Sequence, residues 1–246
     1  MINERGPVDC SRSIKWIYTE DFVREVDAMT VFEVARAHMI ESQLRPNKVG
    51  DARVLAAFGA IRRELFVSDH LRPVAYIDED LPLGAGRFLM EPTIAARLLQ
   101  SAAIEVKDTV LMVGAGTGYE AALATKLARS VVALEEDPGL ARRARAALVE
   151  HSIPSASIVE GPLPLGYRQR APYDVIFFCG AVADVPLAIA AQLAEGGRLL
   201  TVIRPANAVG RAVLTTRTGG VLARRGLFDA SIPLLPAFLP KPAFVF

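Results

Sequence analysis

The stretch VLMVGAGTGYEAA sets three glycines at alternate positions, Gly114, Gly116 and Gly118, between an apolar run and a helical pattern. Glycines there admit positive φ and let a ligand come close to the main chain. A helix beginning just beyond them offers unpaired N–H groups. Glu135 follows 21 residues after Gly114 and closes a second apolar run. A carboxylate at that place can accept hydrogen bonds from both ribose hydroxyls of a nucleoside. After a third run, Glu160 and Gly161 fall at the same sheet edge, where the Glu160 carboxylate can accept from an adenine amino group. A dinucleotide fingerprint would read G-x-G-x-x-G. Here the loop reads G-x-G-x-G, with Tyr119 at the third glycine's place. That spacing suits S-adenosylmethionine, which has no pyrophosphate to seat. The competing reading is a turn that only joins strand to helix; Glu135 at the ribose offset argues against it.

The elements that must position these residues follow from hydrophobic period. Met29 opens a helical pattern through Val31, Phe32, Val34, Ala35 and Met39, and residues 51–67 read as a second helix with Val54, Leu55, Phe58, Ile61 and Leu65 on one face. An irregular segment rich in Gly and Pro follows, and Pro92 suits the first turn of the next helix. From residue 108 apolar runs and helices alternate: DTVLMVG, SVVALEED, SASIVEG, YDVIFFCG and GGRLLTVI as strands, then RAVLTTRT and VLARRGLFDA as a closing pair. Alternation of this kind predicts an α/β fold with a mostly parallel sheet covered on both faces. The expected architecture is therefore a doubly wound, Rossmann-like class I methyltransferase: seven strands, an antiparallel closing pair and N-terminal helices. Residues 1–28 read as an N-terminal extension, disordered or preceding the true start at Met29. Residues 29–246 read as one domain, with 29–107 a helical cap and substrate segment and 108–246 the core.

Composition narrows the classes. Of 246 residues 52% are apolar, and 28 basic residues balance 27 acidic ones, so no nucleic-acid surface is implied. Cys10 and Cys179 are too few and too distant for a disulfide framework or a metal site, and a reducing compartment, the cytoplasm, is expected. Residues 1–28 lack the apolar core of a signal peptide. The apolar window from Val175 to Ala194 is broken by Gly180, Asp184 and Pro186, which suit a strand, a turn and a helix start rather than a membrane span. His38, His70 and His151 are isolated. The acids Asp78, Glu79 and Asp80 read as a solvated loop, the ARRARAA run near Arg142 as a solvated helix face, and the C-terminal PLLPAFLPKPAFVF as a segment packing across the sheet or a partner.

From about Met29 to Ile203 the chain resembles the protein-L-isoaspartate O-methyltransferase family. The resemblance lies in RRELFVSDHLRPVAYIDEDLPLGAGR, in APYDVIFFCGAV and in LAEGGRLLTVI, beyond the glycine loop that many methyltransferases share. It implies methyl transfer from S-adenosylmethionine to the carboxylate of an L-isoaspartyl residue in damaged protein. It assigns the cofactor to Gly114, Gly116, Gly118, Glu135, Glu160 and Gly161, and the substrate to the segment holding Gly86, Arg87, Phe88 and Met90. Three positions depart from the family pattern. The family's Thr falls on Phe88, and its Ser, linked to catalysis, falls on Met90, so no catalytic residue is assigned. The acid usual two residues before the first glycine is Met112. The family's Asp after the third strand is Glu160. Arg87 can pair a substrate carboxylate or lie solvated. Three readings follow: an isoaspartyl methyltransferase working without the hydroxyls, a relative acting on another carboxylate or small molecule, or a binding protein that kept the fold. No metal is expected, and the oligomeric state is left open.

Overall fold

In the computed structural model residues 30–239 are described, apart from 151, 154, 155, 206 and 207; the expected extension 1–28, Cys10 and His151 fall outside them. The chain divides after Ala35 into two units, Met1–Ala35 and a body from Arg36 onward. Helix α1, Val31–His38, starts with a reciprocal cap. The Thr30 N–H donates to Glu33 Oε2 at 2.6 Å, and the Glu33 N–H to Thr30 Oγ1 at 3.3 Å. A π-helical turn, Met39–Leu44, follows.

The body is built on a seven-stranded sheet of order β5-β4-β3-β6-β7-β8-β9. Its strands are β3 (Thr109–Val113), β4 (Ser130–Glu135), β5 (Ala156–Glu160), β6 (Tyr173–Val182), β7 (Leu193–Ile203), β8 (Arg211–Thr218) and β9 (Val221–Asp229). The first five pair in parallel, and β8 and β9 close the sheet antiparallel. This is the expected fold. β3 and β4 are apolar almost throughout because helices cover both faces of a parallel sheet. The chain reverses strand order beside β3, next to β4 on one side and β6 on the other, so the loops leaving β3 and β4 open into the crevice where such sheets bind ligands. Among the described residues no helix is long and apolar enough to cross a membrane; the Val175–Ala194 window is most of β6, a turn and the four-residue helix α6 (Leu187–Ala190).

Three expectations change in detail. Helix α2 runs Ala52–Ala60, not to residue 67: Ile61 turns extended, and Arg63–Phe66 forms a separate 3-10 turn that carries Arg63 into the core. The segment read as irregular contains a hairpin, β1 (Leu81–Gly84) with β2 (Arg87–Leu89). Its turn uses positive φ at Gly84, Ala85 and Gly86. The acids before it are not simply solvated. Asp78 accepts from the Thr93 N–H and hydroxyl, and Asp80 from the Glu91 N–H, so both cap the start of α3, Pro92–Ala102. The C-terminal segment packs across the sheet's carboxyl edge as far as Leu239: Leu234 bridges to Ala181, and Leu235 is buried against Gly180.

Candidate functional site

β3 ends at Val113, and the next residue, Gly114, turns the chain with φ +78°. The N–H groups of Gly114 and Ala115 both donate to the Leu134 carbonyl of β4, at 2.9 and 3.0 Å. The loop is thereby folded against the end of β4. Gly116 and Gly118 follow at φ +57° and +93°, conformations that a side chain resists. Gly118 also lies against Ala144 of helix α5, Pro138–Glu150, which would sit 3.2 Å from an added Cβ. Thr117 anchors the loop by donating its hydroxyl to the Phe66 carbonyl at 2.6 Å. Helix α4, Tyr119–Thr125, begins immediately after and is only seven residues long.

Glu135 is completely buried at the end of β4. Its Oε2 accepts from the Gly116 N–H at 2.7 Å, and its Oε1 from the N–H groups of Glu136 and Asp137 at 2.9 and 3.0 Å. The structure therefore brings the glycine loop and the acid that the sequence singled out together at the ends of β3 and β4. The Glu160 carboxylate, in register with Glu135 on the next strand, lies half-exposed at the surface and pairs with Arg145 at 2.7 Å. The N–H of Gly161 donates to the Glu135 carbonyl at 3.1 Å.

Arg87 is neither free nor solvated. It is 3% exposed, its Nη1 reaches both Glu135 oxygens at 2.8 and 3.0 Å, and its Nη2 donates to the Gly114 carbonyl at 2.6 Å. Charge-assisted bonds of this kind are the strong ones. The alternation of β2 that turns Arg87 inward turns Phe88 out to 37% exposure, while Met90 is buried. Met112 is fully buried in the sheet, between Ala133 of β4 and Phe177 of β6. An added Cβ at Gly114 would meet Arg87 Nη2 at 2.9 Å and Leu235 at 3.0 Å, and one at Gly116 would meet Leu83 Cδ1 at 2.9 Å. Behind Arg87 lies a cavity of about 10 Å³, lined by Arg87, Met90, Cys179, Gly180 and Leu235 among others. That is room for about one water.

A second buried polar cluster lies behind Met90 and was not legible in the sequence. Arg63 is fully buried, donates to the carbonyls of Ala75 and Met90 at 2.7 and 2.8 Å, and stacks over the Tyr119 ring at 5.0 Å. Desolvation by burial pushes the Glu120 carboxyl up to about 7, opposed by the charge of Arg63. Burial likewise lifts Glu91 to about 7 and Asp80 to about 6. Cys179, on β6 at the floor of the small cavity, is buried, and its thiol is pushed well above the ordinary range by desolvation. In a Cys10→Ser background the folded protein is expected to resist a thiol-specific reagent until it is denatured. Prompt labelling of the folded protein would show that this edge opens readily.

The sequence matches the family described as Protein-L-isoaspartate(D-aspartate) O-methyltransferase across residues 35–223. Protein-L-isoaspartate O-methyltransferase of Methanoculleus marisnigri is 39% identical over 186 residues, 76% of this chain and 84% of that protein. The enzyme of the same name from Koribacter versatilis is 43% identical over 172 residues, 70% and 78% of the two chains. This chain belongs to that family. The fold agrees: a solved protein-L-isoaspartate O-methyltransferase superposes with a TM-score of 0.72 at 24% identity, over 81% of this chain and 65% of that one, just under two thirds of its length. A Plasmodium falciparum structure, described as a protein-L-isoaspartate O-methyltransferase in complex with S-adenosyl-L-homocysteine, gives 0.71 at 16% identity, over 85% and 100%.

Proposed function

We propose that the chain is an S-adenosylmethionine-dependent O-methyltransferase acting on the carboxylate of L-isoaspartyl residues in proteins or peptides. The observation that carries this reading is the union of three left-handed glycines with the buried Glu135 carboxylate at the carboxyl edge of the sheet, in a chain of this family. The donor set suits a nucleoside. Glu135 is aimed by three backbone N–H groups, so it stays an acceptor for ribose hydroxyls. The space does not suit it in this conformation, because Arg87, Leu83 and Leu235 fill the volume above the loop.

The cofactor supplies the methyl group; the chain supplies position and dryness. An acceptor carboxylate is already ionised at neutral pH, so no general base is required. Where the family pattern has hydroxyls this chain has Phe88 and the buried Met90, and the nearby Thr93 hydroxyl is committed to Asp78. Catalysis then rests on alignment and exclusion of water. A cytoplasmic setting is supported by the unpaired, buried thiol of Cys179.

The test is transfer of labelled methyl from S-adenosylmethionine to an isoaspartyl peptide and to its aspartyl isomer. Base-labile methyl ester on the first alone is expected. Glu135→Ala, which removes the ribose acceptor, should weaken cofactor binding by about tenfold or more, the loss of one charge-assisted pair of hydrogen bonds. Cofactor binding without esterification of either peptide would rule out the isoaspartyl acceptor and favour a different carboxylate, a reading to which the buried Met90 lends support.

A further inference from the structure

We propose that Arg87 is an internal latch, and that the β1–β2 hairpin occupies the nucleoside cleft and must withdraw before a ligand can reach Glu135. The inference rests on the cofactor reading above. The contacts that Glu135, Gly114 and Gly116 would offer a nucleoside already have occupants from the chain itself. Both oxygens of Glu135 hold the Arg87 guanidinium, and the Gly114 carbonyl takes its second nitrogen. The open face of Gly114 is covered by Arg87 and Leu235, and that of Gly116 by Leu83. The cavity on the Cys179 side of Arg87 is only about 10 Å³, and the larger hollow of about 380 Å³ at the hairpin tip, lined by Leu83, Gly84, Ala85 and Asp137, has neither Glu135 nor the glycine loop in its walls. Ligand and hairpin therefore exclude one another.

The hairpin is built to be displaced. It is short, four residues paired with three. Two polar clips fasten its inward side: Arg87 to Glu135, and Arg143 of α5 to the Leu83 carbonyl at 2.9 Å. When the guanidinium leaves, the Glu135 carboxylate keeps the N–H groups of Gly116, Glu136 and Asp137. It is not orphaned, and it stays oriented for the ribose. The Asp80 bond to the Glu91 N–H ties the hairpin's two ends together at its base, so the tip moves while the base stays. Apparent affinity is then the intrinsic affinity scaled down by the fraction of open molecules.

Calorimetric titration of S-adenosylhomocysteine into the full chain and into Arg87→Gln tests this. The variant loses the charge and should bind about tenfold tighter or more. Arg143→Gln, which loosens the other clip at an exposed site, should bind several-fold tighter and serves if the first variant folds poorly. In the unmodified protein, saturating ligand should speed amide exchange across residues 81–89. Equal affinities in parent and variants, or ligand binding with no change in that exchange, would overturn the latch and leave the cofactor site standing. No binding by any of them would remove the cofactor reading and the latch together.

Discussion

Replacing Gly116 with aspartate is expected to abolish measurable binding of S-adenosylhomocysteine, a loss of about a hundredfold or more. Two effects act at once. The position sits at φ +57°, where a side chain costs about 1–2 kcal/mol. Its added Cβ would meet Leu83 Cδ1 at 2.9 Å, which a flexible leucine end can relieve by shifting. The larger effect is electrostatic. The Gly116 N–H donates to Glu135 Oε2 at 2.7 Å, so a new carboxylate here stands beside a buried one. Juxtaposed like charges cost several kcal/mol, and each 1.4 kcal/mol is tenfold in binding. Gly116→Ala isolates the backbone cost and should lose far less. Calorimetry gives the affinities, and thermal melts show whether each variant folds. An aspartate variant that folds and binds like the parent would mean the glycine loop is not where the nucleoside lies.

The loop and its acid were legible because backbone geometry wrote them into residue type. A left-handed turn selects glycine, and a strand end at the switch point selects the offset of Glu135 from Gly114. The parallel strands were legible for the same kind of reason, since burial on both faces leaves an apolar run. The latch was not. Arg87 looks like any arginine beside glycines, and only the hairpin's register, Gly84 opposite Arg87 and Leu81 opposite Leu89, turns it inward. A strand of three or four residues carries too few alternations to show a period, which hides the hairpin in the sequence. Ile61 and Leu65 continue the apolar spacing of α2 beyond Ala60, so spacing alone overruns the helix. It ends where Ile61 turns extended, and the 3-10 turn beyond carries Arg63 to two buried carbonyls. Glu160 shows the limit of the offset argument. Strand register brings it beside Glu135, yet an edge strand leaves it exposed to Arg145.

Arg63→Ala is expected to be the most destabilising single change in the cap, costing about 3–5 kcal/mol at pH 8. The guanidinium is fully buried, satisfies the Ala75 and Met90 carbonyls and lies over Tyr119. It is also the cation that opposes the upward shifts of Glu120, Glu91 and Asp80. Those shifts fix the sign of the pH dependence. A carboxyl raised in the folded state, as Glu120 is from 4.5 to about 7, holds its proton more tightly folded than unfolded. Stability is then greatest on the acid side and falls as pH rises from about 4.5 through 7. Glu91 and Asp80 act in the same direction. The parent should therefore melt at a higher temperature at pH 5 than at pH 8. Without Arg63 the three carboxyls shift further up, so the variant's deficit should widen with pH. At pH 5, with these acids protonated, only the lost hydrogen bonds and packing remain. Glu120→Gln offers the complementary result. One oxygen of Glu120 has no partner, so the neutral isostere should raise the melting temperature at pH 8 and flatten its dependence on pH. A deficit in Arg63→Ala that stays the same from pH 5 to pH 8 would show that the arginine serves its two carbonyls and not the charge of the acids around it.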